Sequence, residues 1–250
     1  MTISPLVQVS AHAGYPPQAE SFTMESCRAA VATGADYVEV DIRRTADDEL
    51  VAFHDAEVRG RPLSTLDHAQ LCDLAGYPVP RVADALDTLA GHARGHLDLK
   101  ETGYEDRVVR LALDTCGPGQ FVITTSEDVS VAAIKSRFPA PGQVPAALSL
   151  GVGLRGAPPV EVLRTRLSEL RPFPRLRACG ADWVALNYRL AMTGLARQCR
   201  RRGLRVMVWT VDSEPGIRYW LGGQRTDVLI TGHPARAIAV RDRLNRRPNP

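Results

Sequence analysis

Four short stretches put reactive side chains where apolar residues would be ordinary. They are "AHAG" with His12, "DYVEVDI" with Glu39 and Asp41, "FHD" with His54 and Asp55, and "HLDLKE" with Asp98 and Lys100. Positions two apart on a strand point the same way, so Glu39 and Asp41 share one face of a strand otherwise built from Tyr37, Val38, Val40 and Ile42. Crowded carboxylates repel unless a hard divalent cation, which takes oxygen ligands, sits between them. Without a cation, at least one would carry a raised pKa. Lys100, on the same face as Asp98, adds a point charge suited to an oxyanion such as phosphate. His12 and His54 exchange protons near neutral pH. Together these groups spell phosphodiester cleavage: a metal neutralises phosphoryl charge, one histidine activates a nucleophile and the other protonates the leaving alkoxide. The sequence leaves open which histidine does which.

Such residues need a frame that brings them together. Apolar runs at Leu6–Ala11, Tyr37–Ile42, His96–Leu99, Phe121–Thr124, Ala146–Leu150, Trp183–Leu186, Arg205–Trp209 and Asp227–Thr231 read as strands. Amphipathic stretches at Glu20–Thr33, Tyr104–Cys116, Glu127–Arg137, Val160–Leu170, Met192–Arg202, Glu214–Leu221 and Pro234–Leu244 read as helices, with weaker pieces at Thr65–Leu74 and Arg81–Leu89. Strands alternating with helices imply right-handed crossovers and a parallel sheet. Eight units in 250 residues fit an α/β fold, a single-domain (β/α)₈ barrel over residues 1–245 with 246–250 as a tail. A doubly wound open sheet is the alternative. In a barrel, chemistry belongs at the C-terminal strand ends, where all the residues above fall. Trp209 and Thr210 end the seventh strand, and Trp209 is expected to wall the substrate pocket or to pack. Glu20 is expected to cap the first helix or to orient a neighbouring group.

The bulk numbers exclude other classes. A net charge of +3 is too small to argue for nucleic acid or a membrane surface. The basic run "RQCRRRGLR", Arg197 to Arg205, straddles a helix end, where cations complement the dipole and stay solvated. Five scattered cysteines without metal-type spacing point to a reduced, cytoplasmic protein. "MTISPLVQVSA" does not read as a signal peptide, and no apolar run approaches the ~20 residues of a membrane span. The expected partner is a small phosphodiester; oligomeric state is not readable. His68, His92, His96 and His233 are read as structural, and Asp55 and Asp227 as orienting local backbone.

The run "AHAG … GADYVEVDIRRTADDELVAFHD", with "VPRVADAL", "HLDLK" and "GLRVMVWTVDSEPGIRYWLGGQRTDVLITGHP", resembles the glycerophosphodiester phosphodiesterase family, in order and over nearly the whole chain. The resemblance implies a TIM-type barrel and a Ca²⁺- or Mg²⁺-dependent hydrolase. It carries the acid–base roles onto His12 and His54, the metal carboxylates onto Glu39, Asp41 and Asp98, and the phosphate-binding lysine onto Lys100. The chain also departs from the family pattern. Ala13 stands where the family has an arginine that helps hold phosphate. "AESF" keeps Glu20 but loses an asparagine, Asp98 replaces the usual Glu, and "TADD" replaces a T-x-D-G turn. The insertion between the second and third strands is expected to be reduced. Arg43 or Arg155 is the expected substitute for the missing arginine. Asp-x-Lys without that arginine is also similar to spider-venom phospholipase D enzymes, which would make the protein a lyase forming a cyclic phosphate. A third alternative is a barrel that has lost catalysis and binds a phosphorylated ligand.

Overall fold

The computed structural model describes residues 6–12, 21–153 and 158–246, without the side chain of Glu161. Eight parallel strands close on themselves: β1 (Gln8–Ala11), β2 (Tyr37–Arg44), β6 (Arg94–Leu99), β7 (Phe121–Thr125), β8 (Ala146–Leu150), β9 (Trp183–Asn187), β10 (Arg205–Trp209) and β11 (Val228–Thr231). Ser10 pairs with Tyr37 and Gln8 with Val228, so β1 joins β2 on one side and β11 on the other and closes the barrel. This is the (β/α)₈ architecture expected from the strand–helix alternation, and the open sheet is set aside.

The barrel explains why its strands tolerate polar residues on one face. On β2 the odd positions Tyr37, Glu39 and Asp41 point into the lumen. The even positions Val38, Val40 and Ile42 join the large core under the helices. That core holds the ring α1 (Met24–Ala32), α3 (Val82–Leu89), α4 (Glu105–Cys116), α5 (Asp128–Arg137), α10 (Glu214–Leu221) and α11 (Pro234–Asn245) against the sheet. A second, smaller cluster fills the lumen, with Tyr37, Val122, Ala147, Trp183, Ala185, Met207, Val228 and Ile230. Bulky side chains plug the middle of the barrel, with Ser10 and His96 buried among them, and the charged lumen residues fall at its two ends.

The chain between β2 and β6 positions one of the expected catalytic groups. β3 (Leu50–Ala52) turns back antiparallel to β2, Arg43 opposite Val51, and the Phe53 N–H donates to the Asp41 carbonyl at 2.9 Å. His54 therefore emerges beside the C-terminal end of β2. The rest of this insertion is compact: a ribbon β4 (Glu57–Val58) with β5 (Arg61–Pro62), a 3₁₀ turn Leu63–Thr65, and α2 (His68–Ala75) opened by an Asp67–Gln70 capping box. Val51, Leu63, Leu71 and Val79 give it a small core of its own.

Three local features differ from the sequence reading. α1 begins at Met24, where Thr23 and Ser26 cap each other reciprocally. After α6 (Pro159–Leu170) comes a further helix, α7 (Phe173–Cys179), opened by Pro172 and closed by Gly180 in the left-handed region at φ 71°. The helix expected over Met192–Arg202 starts earlier, as α8 (Tyr188–Leu190). It passes through a π turn at Ala191–Leu195, kinked by Gly194 at φ 90°, before α9 (Ala196–Arg201).

Candidate active site

The lumen-facing residues at the C-terminal strand ends surround a cavity of about 270 Å³. His12 after β1, Glu39 and Asp41 on β2, His54 after β3, Asp98 and Lys100 at β6, and Trp209 at the end of β10 all line it. The β2–β6 register sets Asp41 directly beside Asp98. Oxygens of Glu39, Asp41 and Asp98 lie within 4.8 Å of one another. Glu39 and Asp41 are buried, at 7% and 5% exposure.

Lys100 closes the group. Its Nζ stands 2.5 Å from Asp98 Oδ2 and 2.9 Å from Asp41 Oδ1. Burial works against the ammonium charge, but Asp98, Asp41 and Glu39 together outweigh it and hold the lysine protonated beyond its ordinary range. Burial pushes the Asp41 carboxyl up, and Glu39 and Asp98 add to the rise against Lys100. Three carboxylates share one ammonium, two of them withdrawn from water. That oxygen-rich, charge-deficient donor set fits a hard divalent cation such as Ca²⁺ or Mg²⁺.

The two histidines differ in surroundings. His12 Nε2 lies 3.8 Å from Glu39 Oε2, and the carboxylate raises its pKa; burial opposes, while Asp41 and Asp212 reinforce. His54 sits at the rim, its side chain 69% exposed, with Nδ1 2.7 Å from Asp55 Oδ1. An ionised carboxylate only accepts, so Nδ1 carries a proton, and in the neutral imidazole Nε2 keeps the lone pair. Asp55, expected from the sequence to orient local backbone, meets the imidazole instead. Asp227 does orient backbone, accepting from the Val206 N–H at 2.8 Å.

Below the carboxylates runs a chain of hydrogen bonds that sequence reasoning missed. Ser10 Oγ lies 3.1 Å from His96 Nδ1, His96 Nε2 lies 3.0 Å from Thr124 Oγ1, and Thr124 Oγ1 donates to Asp98 Oδ1 at 2.5 Å. Because Asp98 accepts from Thr124, the Thr124 oxygen is left to accept from His96 Nε2–H, and Nδ1 accepts from Ser10. His96, read from sequence as structural, therefore forms the cavity floor and acts on Asp98 through Thr124. The signal was a polar residue two positions before Asp98 on the same strand face.

Arg43 takes a different place from the one expected. Its Nε donates to the His54 carbonyl at 2.8 Å, and it does not line the cavity. Glu20 and Arg155 lie outside the described residues. The wall at Val152 and Gly153 is anchored by a clamp on the buried Glu169, which accepts from the Gly151 N–H at 2.7 Å and from Arg166 Nη1 at 2.6 Å, while Arg166 Nη2 donates to the Val152 carbonyl at 2.8 Å.

Residues 12–90 match the glycerophosphoryl diester phosphodiesterase family model, a stretch that carries His12, Glu39, Asp41 and His54. The resemblance read from the sequence is borne out there. Solved structures share the whole barrel. A glycerophosphodiester phosphodiesterase from Parabacteroides distasonis superposes with a TM-score of 0.75 at 18% identity, covering 96% of this chain and 98% of that one. One from Thermotoga maritima gives 0.73 at 16% identity, covering 95% and 99%. An Oleispira antarctica phosphodiesterase in complex with the product sn-glycerol-3-phosphate gives 0.72 at 18% identity, covering 95% and 97%. At these identities the likeness establishes the fold. No curated protein matches the chain. No helix among the described residues is long and apolar enough to cross a membrane.

Proposed function

We propose that the protein is a metal-dependent phosphodiesterase that hydrolyses a small glycerophosphodiester-like substrate to an alcohol and a phosphomonoester. The observation that carries this reading is the meeting of Glu39, Asp41, Asp98, Lys100, His12 and His54 around one cavity. Glu39, Asp41 and Asp98 would hold Ca²⁺ or Mg²⁺, which supplies Lewis-acid neutralisation of phosphoryl charge. Lys100 offers its ammonium to a non-bridging phosphate oxygen, aimed by its contacts with Asp41 and Asp98. His54, with Nδ1–H committed to Asp55, takes a proton from the attacking water at Nε2. His12, whose pKa the neighbouring Glu39 raises, donates its proton to the leaving alkoxide. Trp209 walls the alcohol side of the pocket. The family match over residues 12–90 supports the substrate class.

The test is turnover of glycerophosphocholine by the full chain with added Ca²⁺ or Mg²⁺ and with chelator, followed by phosphorus NMR. A phosphomonoester product that chelator abolishes is expected. A five-membered cyclic phosphate as the end product would make the protein a lyase, and no turnover with any divalent ion would overturn the reading altogether.

A further inference from the structure

The opposite end of the barrel carries a second polar set that the chemistry above does not use. Strand alternation puts Arg94, His96 and Asp98 on one face of β6, and Arg205, Met207 and Trp209 on one face of β10. The same lumen-facing columns that end at the cavity therefore begin with arginines. Tyr37 and Trp183 plug the barrel above them: the Arg94 guanidinium lies 4.7 Å from the Tyr37 ring centre and the Arg205 guanidinium 4.0 Å from that of Trp183. With Arg200 and Arg241 they line a cavity of about 590 Å³.

Charge in this mouth is unbalanced. Arg241 is paired with Asp36 at 2.5 Å and Arg200 with Asp227 at 3.5 Å. Among the described residues, neither Arg94 nor Arg205 has a carboxylate within 4.0 Å. The side chain between them is the amide of Gln8, and it has only one oxygen. In one orientation the oxygen accepts from Arg205 Nη2 at 3.3 Å, and the amide nitrogen faces the donors of Arg94. Turned over, the oxygen accepts from Arg94 Nη1 and Nη2 at 3.3 and 2.5 Å. Two like charges are held about one neutral amide oxygen, with the Tyr37 hydroxyl accepting from Arg94 Nη1 at 3.0 Å as the other neutral partner.

We infer that this N-terminal mouth is a second binding site, for the dianionic phosphate group of a small phosphorylated molecule. Four arginines against two aspartates leave two positive charges, the charge of a phosphate monoester at neutral pH. Its three terminal oxygens accept from both guanidinium forks at once, which Gln8 does not do. The site is separated from the catalytic cavity by the packed lumen, so its ligand does not compete with substrate for the same space.

The experiment is calorimetric titration of the full chain with inorganic phosphate at low ionic strength, chelator present, where the metal-free carboxylates around Lys100 disfavour an anion in the catalytic cavity. One saturable site is expected. Arg94→Gln or Arg205→Gln should weaken it about 10- to 100-fold, the loss of one charge-assisted hydrogen-bond set. Gln8→Glu tests the idea without removing an arginine: a built-in carboxylate between the two forks should abolish phosphate binding, raise the melting temperature and leave turnover unchanged in an otherwise wild-type chain. Absence of saturable binding, or phosphate binding that survives Gln8→Glu with no rise in melting temperature, overturns the assignment.

Discussion

Asp41 and Asp98 stand side by side in the β2–β6 ladder and share the Lys100 ammonium, at 2.9 and 2.5 Å from its Nζ. The lysine lies against the oxygens that would hold a divalent cation, so cation and ammonium repel each other while both draw on the same carboxylates. Their coexistence makes sense if each neutralises a different part of a phosphate.

Lys100→Met should separate these roles. Removing the ammonium takes a like charge away from the cation, so Ca²⁺ should bind more tightly in calorimetry. The phosphate loses its point charge, and kcat should fall by about 100-fold or more. Without metal the variant should be less stable by about 3–5 kcal/mol, the cost of leaving buried carboxylates uncompensated, and added Ca²⁺ should restore much of the loss. Weaker Ca²⁺ binding would show that the lysine helps to build the cation site.

Thr124→Val keeps shape and volume while deleting the hydroxyl that links His96 to Asp98. Asp98 would lose the bond fixing Oδ1, and His96 Nε2 would lose its acceptor. Groups that orient a metal ligand typically contribute 10- to 100-fold to affinity, so Ca²⁺ binding should weaken by about that factor. Asp98 is shorter than the glutamate common in the family, which makes this support matter more. Unchanged Ca²⁺ affinity by calorimetry would mean that Asp98 is not held through Thr124.

Gly151→Ala tests the clamp behind the cavity wall. Gly151 has φ 87°, and a Cβ there would come within 2.5 Å of Asn187 Cβ. Both the backbone and the neighbour resist, so a loss of roughly 1–3 kcal/mol is expected. For a chain of this size that lowers the melting temperature by roughly 2–12 °C. The Gly151 N–H bond to Glu169 would be disturbed too, so KM should rise along with the fall in stability. A melting temperature equal to wild type would refute the steric argument.

Much of this was legible in the sequence because the barrel turns simple alternation into position. Glu39, Asp41 and Asp98 could be placed in one mouth from strand period alone, and the structure brings them within 4.8 Å. What was not legible depends on pairing between distant segments. Thr124 reads as one more β-branched strand residue until β7 lies beside β6 and sets it opposite Asp98. His96 looked structural because its partners, Ser10 and Thr124, come from strands remote in sequence. Arg43 seemed free to reach phosphate, but the backward turn of β3 brings the His54 carbonyl to its Nε instead. The run Arg197–Arg205 read as a solvated helix end; the fold splits it, so that Arg205 faces the lumen while Arg200 pairs with Asp227 at 3.5 Å.

His12 provides the pH test. Its pKa is raised above the ordinary 6.5, chiefly by the Glu39 carboxylate. The fold therefore favours the protonated imidazole: the stabilisation is fully present below about pH 6.5 and disappears as pH rises through the higher folded value. Glu39→Gln removes the largest raising cause, and burial, which lowers the pKa, then counts for more. The His12 midpoint, followed by its imidazole carbon–proton NMR signal, should move down in this variant. Added Ca²⁺ should move it the same way in the wild type, since a cation held by Glu39, Asp41 and Asp98 cancels the charges that raise it. A midpoint that stays in place with Glu39→Gln would remove the electrostatic reason for His12 to serve as the acid, and one that climbs with Ca²⁺ would contradict a cation held by Glu39, Asp41 and Asp98.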